Sequence, residues 1–141
     1  MNSNQATDEQ ARNNAVTFNG VYPIGDTDTN ALPVQSIQAA LPTYRDHLGF
    51  VVEEQSETAA RLRRDNAVIG IAVNDSDPEQ ASCYFPVSNA KQLRSDLQAR
   101  GMEVSPLRTD EHNGKLLRVF FAKEPYGVCF CFGTEVSSSE Q

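Results

Sequence analysis

Histidine, cysteine and tryptophan are nearly missing from this chain: 141 residues hold two histidines, three cysteines and no tryptophan. So little histidine argues against an imidazole-rich metal site. His47 falls in a helical stretch beside apolar Leu48, and His112 sits in the loop before Asn113-Gly114, so both read as solvated flanks. The cysteines Cys83, Cys129 and Cys131 are too few, and odd in number, for a disulfide framework. Basic residues are also short. Twelve Lys and Arg stand against nineteen Asp and Glu, a net charge of −7. Without a basic stripe, neither nucleic acid nor an anionic membrane surface is an expected partner. No apolar run approaches the roughly 20 residues of a membrane span, and the opening MNSNQATDEQARNN lacks the apolar segment of a secretory signal. The expectation is a cytoplasmic protein with reduced thiols and no membrane contact.

What the chain does have is a repeat. LPVQSIQAALPTYRDHLGFVV (32–52) and FPVSNAKQLRSDLQARGMEV (85–104) share one plan: a strand end, a polar cap, an amphipathic helix, a glycine stop and a new strand. Pro33-Val34 is matched by Pro86-Val87, and Gly49 by Gly101. Self-similarity of this kind constrains the whole fold. Two copies of one unit imply a pseudo-twofold arrangement, with the surface between the copies as the natural place for a site.

The rest of the chain fits around that repeat. Residues 1–14 and 134–141 are polar and aperiodic, and read as tails. Residues 15–28 form an N-terminal extension in which Val16, Phe18, Tyr22 and Ile24, split by Asn19-Gly20, fit an extra strand or a turn-linked pair. The first module covers 29–73. Its helix begins at Ser36, carries the stripe Ile37, Ala40, Leu41, Tyr44 and Leu48, and contains Pro42, which removes one backbone bond and kinks or shortens it. FVVEEQ, ARLRRD and AVIGIAV supply three further strands, with a turn at Asp65-Asn66. After a linker at 74–81, the second module covers 82–133. SCYFPV leads to a helix capped by Ser88 or Asn89, with its stripe at Ala90, Leu93 and Leu97. MEVS (102–105), KLLRVFFA (115–122) and VCFCFG (128–133) read as the remaining strands. The pattern is β-α-β-β-β, twice.

LPVQSIQAALPTYRDHLGF, VSNAKQLRSDLQARGMEV and FFAKEPYGVCFCF, in that order, resemble the vicinal oxygen chelate superfamily of glyoxalases, extradiol dioxygenases and bleomycin-resistance proteins. The resemblance covers Thr29 to Gly133. It implies an α+β fold of two tandem βαβββ modules whose mixed sheets curl around a cavity, often across a homodimer. It also implies metal-ligand positions at two equivalent strand starts and two strand ends, usually filled by His and Glu. Counting from Ser36 and Asn89 places the strand starts at Thr29 and Ser82. Counting from Glu124-Pro125 places a third position at Cys131. The fourth falls near 71–74, where neither Glu nor His occurs. The donors are therefore replaced at every position, and no metal or other cofactor is expected.

Other side chains bear on the cavity. Cys129 and Cys131 alternate with Val128, Phe130 and Phe132, so the thiols share one sheet face and the phenylalanines the other. The thiols read as small apolar wall residues, since a soft-metal site needs three or four ligands and no third is evident. A reactive thiolate needs a nearby cation, for which Arg118 is the candidate. Tyr84 shares a face with Ser82 and offers a ring and a hydroxyl. Arg118 and Phe120 share a face of their own strand. Arg61 and Arg63 lie on one face and Arg64 on the other, either to hold an anionic ligand or to guard an edge strand with charge. The expected cavity is thus Thr29, Ser82, Tyr84, Arg118, Phe120, Cys129 and Cys131. Three functions fit: a homodimeric small-molecule-binding protein; a metal enzyme using displaced donors such as Glu53, Glu54, Glu111 and His112; or a dimeric interaction module. The first is favoured because the fold signature is intact and the donors are gone.

Overall fold

The computed structural model describes residues 16–136 except Asn113. The tail expected at 1–14 lies outside those residues, as does the final stretch beyond Val136. The strands are β1 (Tyr22–Ile24), β2 (Leu32–Val34), β3 (Val51–Gln55), β4 (Ala59–Arg64), β5 (Ala67–Val73), β6 (Ser82–Pro86), β7 (Arg108–His112), β8 (Lys115–Lys123) and β9 (Cys129–Val136). Among the described residues the α-helices are α1 (Ile37–Leu41) and α2 (Ala90–Ala99). A first sheet has the order β2-β5-β4-β3, and a second the order β1-β6-β9-β8-β7. The order 2-5-4-3 is repeated as 6-9-8-7, so the sequence repeat is a structural one. In each module the first strand pairs in parallel with the last, and the other pairings are antiparallel.

Both helices start as the cap residues dictate. Ser36 Oγ accepts from Ala39 N at 3.2 Å, and Asn89 Oδ1 accepts from Gln92 N at 3.0 Å. They continue differently. Pro42 has no N–H to donate, and the first helix passes after five residues into a π-helical stretch, Pro42–His47. There Leu48 N donates to Thr43 O at 3.0 Å, five residues back.

Two expectations about strands need correction. Met102–Ser105 makes only an isolated bridge, Val104 to Ala122, and the strand before β8 is Arg108–His112. The sequence RTDEH has no apolar residue to mark it, yet it forms a hairpin with β8 that pairs His112 with Lys115 and Arg108 with Val119. His112 therefore ends a strand instead of lying in a loop. The last strand also runs to Val136, three residues into the segment expected as tail.

The two modules share one core. Phe85 and Phe132 stack with centroids 5.3 Å apart, and Phe120 stacks on Phe132 at 5.0 Å. Phe50 of the first module meets Phe85 at 6.0 Å, and Tyr44 meets Phe130 edge-on at 5.7 Å. Phe18, fully buried, touches Phe50, Phe85 and Phe132. The backbone of residues 17–19 joins the modules. Phe18 N donates to Asp65 Oδ2 (2.9 Å) and Asn66 N donates to Phe18 O (3.0 Å), while Asn19 N donates to Pro86 O (2.8 Å) and Ser88 N to Thr17 O (2.9 Å). Asp65 tolerates the turn's φ of 53° as few other residues do.

Arg64 completes this junction. It is 3 % exposed, lies 4.1 Å over the Phe18 ring and donates to Leu48 O (2.8 Å) and Val16 O (2.7 Å). Burial lowers its pKa to about 10, leaving it charged at neutral pH. It belongs to the core, whereas Arg61 and Arg63 on the opposite face pair with Glu54 and Glu53.

Candidate functional site

One face of each sheet packs into the shared core, so the alternate residues of each strand face away from it. On the second sheet the ladder register aligns those residues in rows. Tyr22, Tyr84, Cys131 and Phe121 stand side by side on β1, β6, β9 and β8. Ile24, Ser82, Cys129 and Lys123 form the next row. Gly133, opposite Val119, which in turn pairs with Arg108 on β7, lies on the same face.

Tyr84 lies flat on this face because of Gly133. A Cβ there would run into the phenol oxygen and ring carbons of Tyr84, so only glycine admits the ring. The ring is thereby presented broadside and is half-buried, and burial raises its phenol pKa. Across β9, the Arg108 guanidinium sits 5.2 Å from the Phe121 ring centre and pairs with Asp110 at 3.1 Å. All three cysteines are free thiols. Cys129 and Cys131 are half-buried on this face, and burial pushes Cys131 up to about 11 and also raises Cys129, against which Lys123 acts. Cys83, on the core face, is pushed up to about 12.

The residues singled out from sequence fall in three places. Ser82, Tyr84, Cys129 and Cys131 are together on the outward face of the second sheet. Phe120 and Arg118 are on its other side: Phe120 is fully buried against Phe132, and Arg118 stands opposite Thr134 at the start of α2. Arg118 is thus not the cation beside the thiols; Lys123 and Arg108 are. Thr29 is not at a strand start but in the turn before β2, where its carbonyl accepts from Gly70 N of β5 at 2.9 Å. Gly70, on the first sheet, also has a close neighbour, since a Cβ on it would overlap the Asn30 carbonyl.

Phe121, Tyr22 and Arg108 were not foreseen. A signal for Phe121 was present: the five-residue turn Glu124–Val128 closes on the pair Lys123 and Cys129, which sets Phe121 opposite Cys131. Glu124 holds that turn from inside, accepting from Val128 N at 2.9 Å while its other oxygen has no hydrogen-bond partner, and burial raises its pKa.

The first sheet's outward face is polar. A cleft of about 440 Å³ is lined by Asn30, Glu54, Ser56, Ala59, Arg61 and Gly70. Where the strand starts of the two modules approach, Ser82 N donates to Thr27 Oγ1 at 3.0 Å, and a cleft of about 610 Å³ is lined by Ile24, Thr27, Asp28, Ala31, Pro33 and Ser82 among others. The hydroxyls of Thr29 and Ser82 and the raised thiol of Cys131 do not fit a hard or borderline divalent cation, which needs anionic or imidazole donors. Among the described residues no group of three or more His, Cys, Asp and Glu is placed to hold a metal. No helix among them is long and apolar enough to cross a membrane.

This duplicated architecture is the vicinal oxygen chelate fold, α+β with two mixed sheets. Three solved structures of similar chains mark its range. The bleomycin-binding protein of Streptomyces verticillus, solved with copper(II)-bleomycin, is 18 % identical, with 77 % of this chain and 95 % of that one covered and a TM-score of 0.62. The bleomycin resistance determinant of transposon Tn5 gives 15 %, 78 %, 98 % and 0.64. A glyoxalase family protein of Enterococcus faecalis gives 21 %, 77 %, 97 % and 0.60. No family model and no curated protein matches the sequence.

Proposed function

We propose that the chain is a small-molecule-binding protein that uses the outward face of its second sheet and needs no divalent metal at its strand starts. The observation that carries this reading is the face itself: Tyr84 laid flat over Gly133, with Tyr22, Phe121 and the two thiols beside it, outside a core that is already filled. Aromatic planes with a few polar groups are what small-molecule sites are made of. The fold is shared with a protein that binds bleomycin, and the residues at the expected ligand positions do not fit a divalent cation.

The same reading makes the protein a homodimer. Tyr22 is 59 % exposed, Val51 59 % and Ile24 43 %, and all three belong to outward faces or edges. Apposing the polar face of one copy to the aromatic face of the other covers these side chains and encloses the ligand. We place the protein in the cytoplasm, where its thiols stay reduced.

A thermal-shift screen against metabolites and glycopeptide drugs, metal-free bleomycin included, tests the binding, because a ligand of the folded state raises its apparent stability. The expected result is a ligand that stabilises the wild type and loses its effect in Tyr84→Ala. A ligand whose effect survives that change contradicts the assignment. Light scattering at micromolar concentration is expected to give the mass of a dimer.

A further inference from the structure

We propose that Cys129 and Cys131 form a two-coordinate site for a soft d10 cation, Cu(I), on the outward face of the second sheet. The two thiols are two residues apart on one strand, so they project from the same face with their Cα atoms about 6.6 Å apart. A thiolate–metal bond of about 2.3 Å makes a linear S–M–S span of about 4.6 Å, which each side chain reaches by leaning about 1 Å toward the other. Thiolates are the donors that select Cu(I) over harder ions. The three or four ligands expected of a soft-metal site are the requirement of zinc; a linear Cu(I) ion needs only two thiolates.

The surroundings favour the charge such a complex carries. A bis-thiolate of Cu(I) has one net negative charge. Lys123 stands directly opposite Cys129 in the ladder, and Arg108 favours the Cys131 thiolate from the far side of the face. Asp110 opposes that effect at Cys131 and is tied to Arg108. Ser82, Tyr84 and Phe121 flank the pair and carry no charge at neutral pH. Cys83 is buried on the opposite face and takes no part. Binding exchanges two S–H bonds for two S–Cu bonds and releases two protons to solvent, with no electron transferred.

The test is an anaerobic titration of the full chain with Cu(I) in competition with a colorimetric Cu(I) chelator. One ion per chain is expected. Cys129→Ser and Cys131→Ser should each weaken binding by more than about 100-fold, beyond the effect of losing an outer partner of a metal ligand. Cys83→Ser should leave it unchanged. In the wild type, Cu(I) should protect Cys129 and Cys131 from alkylation, a readout that needs no variant. Failure to compete with the chelator, equal loss in Cys83→Ser, or Zn(II) protecting the thiols as well as Cu(I) does would each overturn the proposal.

Discussion

The two modules repeat one backbone and differ most where they face away from their common core. On the first, Arg61 and Arg63 are tied to Glu54 and Glu53, and Arg61 and Glu54 line a cleft of about 440 Å³. On the second, the outward face holds Tyr84, Cys129, Cys131 and Phe121. Each last strand contains a glycine under a close neighbour, but Gly70 admits a backbone carbonyl and Gly133 an aromatic ring. The core-facing sides, by contrast, contribute to one aromatic cluster. Duplication has kept the side that folds the protein and let the other side diverge. Ligand chemistry is therefore to be sought in the difference between the faces.

The largest effect is expected from the shared core. Phe85→Ala removes the ring that meets Phe18, Phe50, Phe130 and Phe132, and should cost about 3–5 kcal/mol. Urea unfolding should lose that stability in a single transition. Two separate transitions would show that the modules fold independently. Arg64→Ala comes next. It strips two buried carbonyls of a charged donor and should cost about 2–4 kcal/mol. Lys at that position cannot hold both carbonyls and cover Phe18 at once, so it should recover only part of the loss.

The two glycines sharpen the comparison. Gly70→Ala presses a methyl against main chain that cannot step aside, and should cost about 1–3 kcal/mol. Gly133→Ala presses against a side chain that can rotate, and should cost less than about 1 kcal/mol while lifting Tyr84 off the sheet. Equal losses in denaturant midpoint would contradict the contrast.

Glu124 gives the smallest effect. Its carboxyl has a folded pKa raised above the ordinary 4.5 by burial, so the folded state holds the proton more tightly than the unfolded one. The resulting stability is present below about pH 4.5 and is lost as pH rises through the folded pKa. Glu124→Gln keeps the acceptor for Val128 N and removes the charge. Its urea midpoint should exceed that of the wild type at pH 7 and match it at pH 4. An advantage at pH 4 alone would reverse the sign.

Much of this frame is written in local pattern. Phe130 and Phe132 alternate with Cys129 and Cys131, and the alternation fixes which pair is buried. Caps at Ser36 and Asn89 start the helices where they are read. What escapes is set by partners distant in sequence. RTDEH is a strand only because β8 pairs with it. Phe120 and Phe121 are indistinguishable until the turn at 124–128 fixes the register. Phe18 reads as an edge residue of an extension, yet it occupies the centre of the core because the two modules bond to the backbone of residues 17–19. Of the expected site, Ser82, Tyr84 and the two thiols were legible through strand parity, whereas Arg118 and Phe120 depended on a register that parity does not supply.

The claim on which the rest depends is that the aromatic face of the second sheet, centred on Tyr84, holds the ligand. The most direct measurement is the thermal shift produced by a stabilising small molecule in the wild type, in Tyr84→Ala and in Gly133→Ala. A shift lost in both variants, with the unliganded proteins melting close to the wild type, is the predicted result. A shift of undiminished size in both would place the ligand elsewhere and contradict the account.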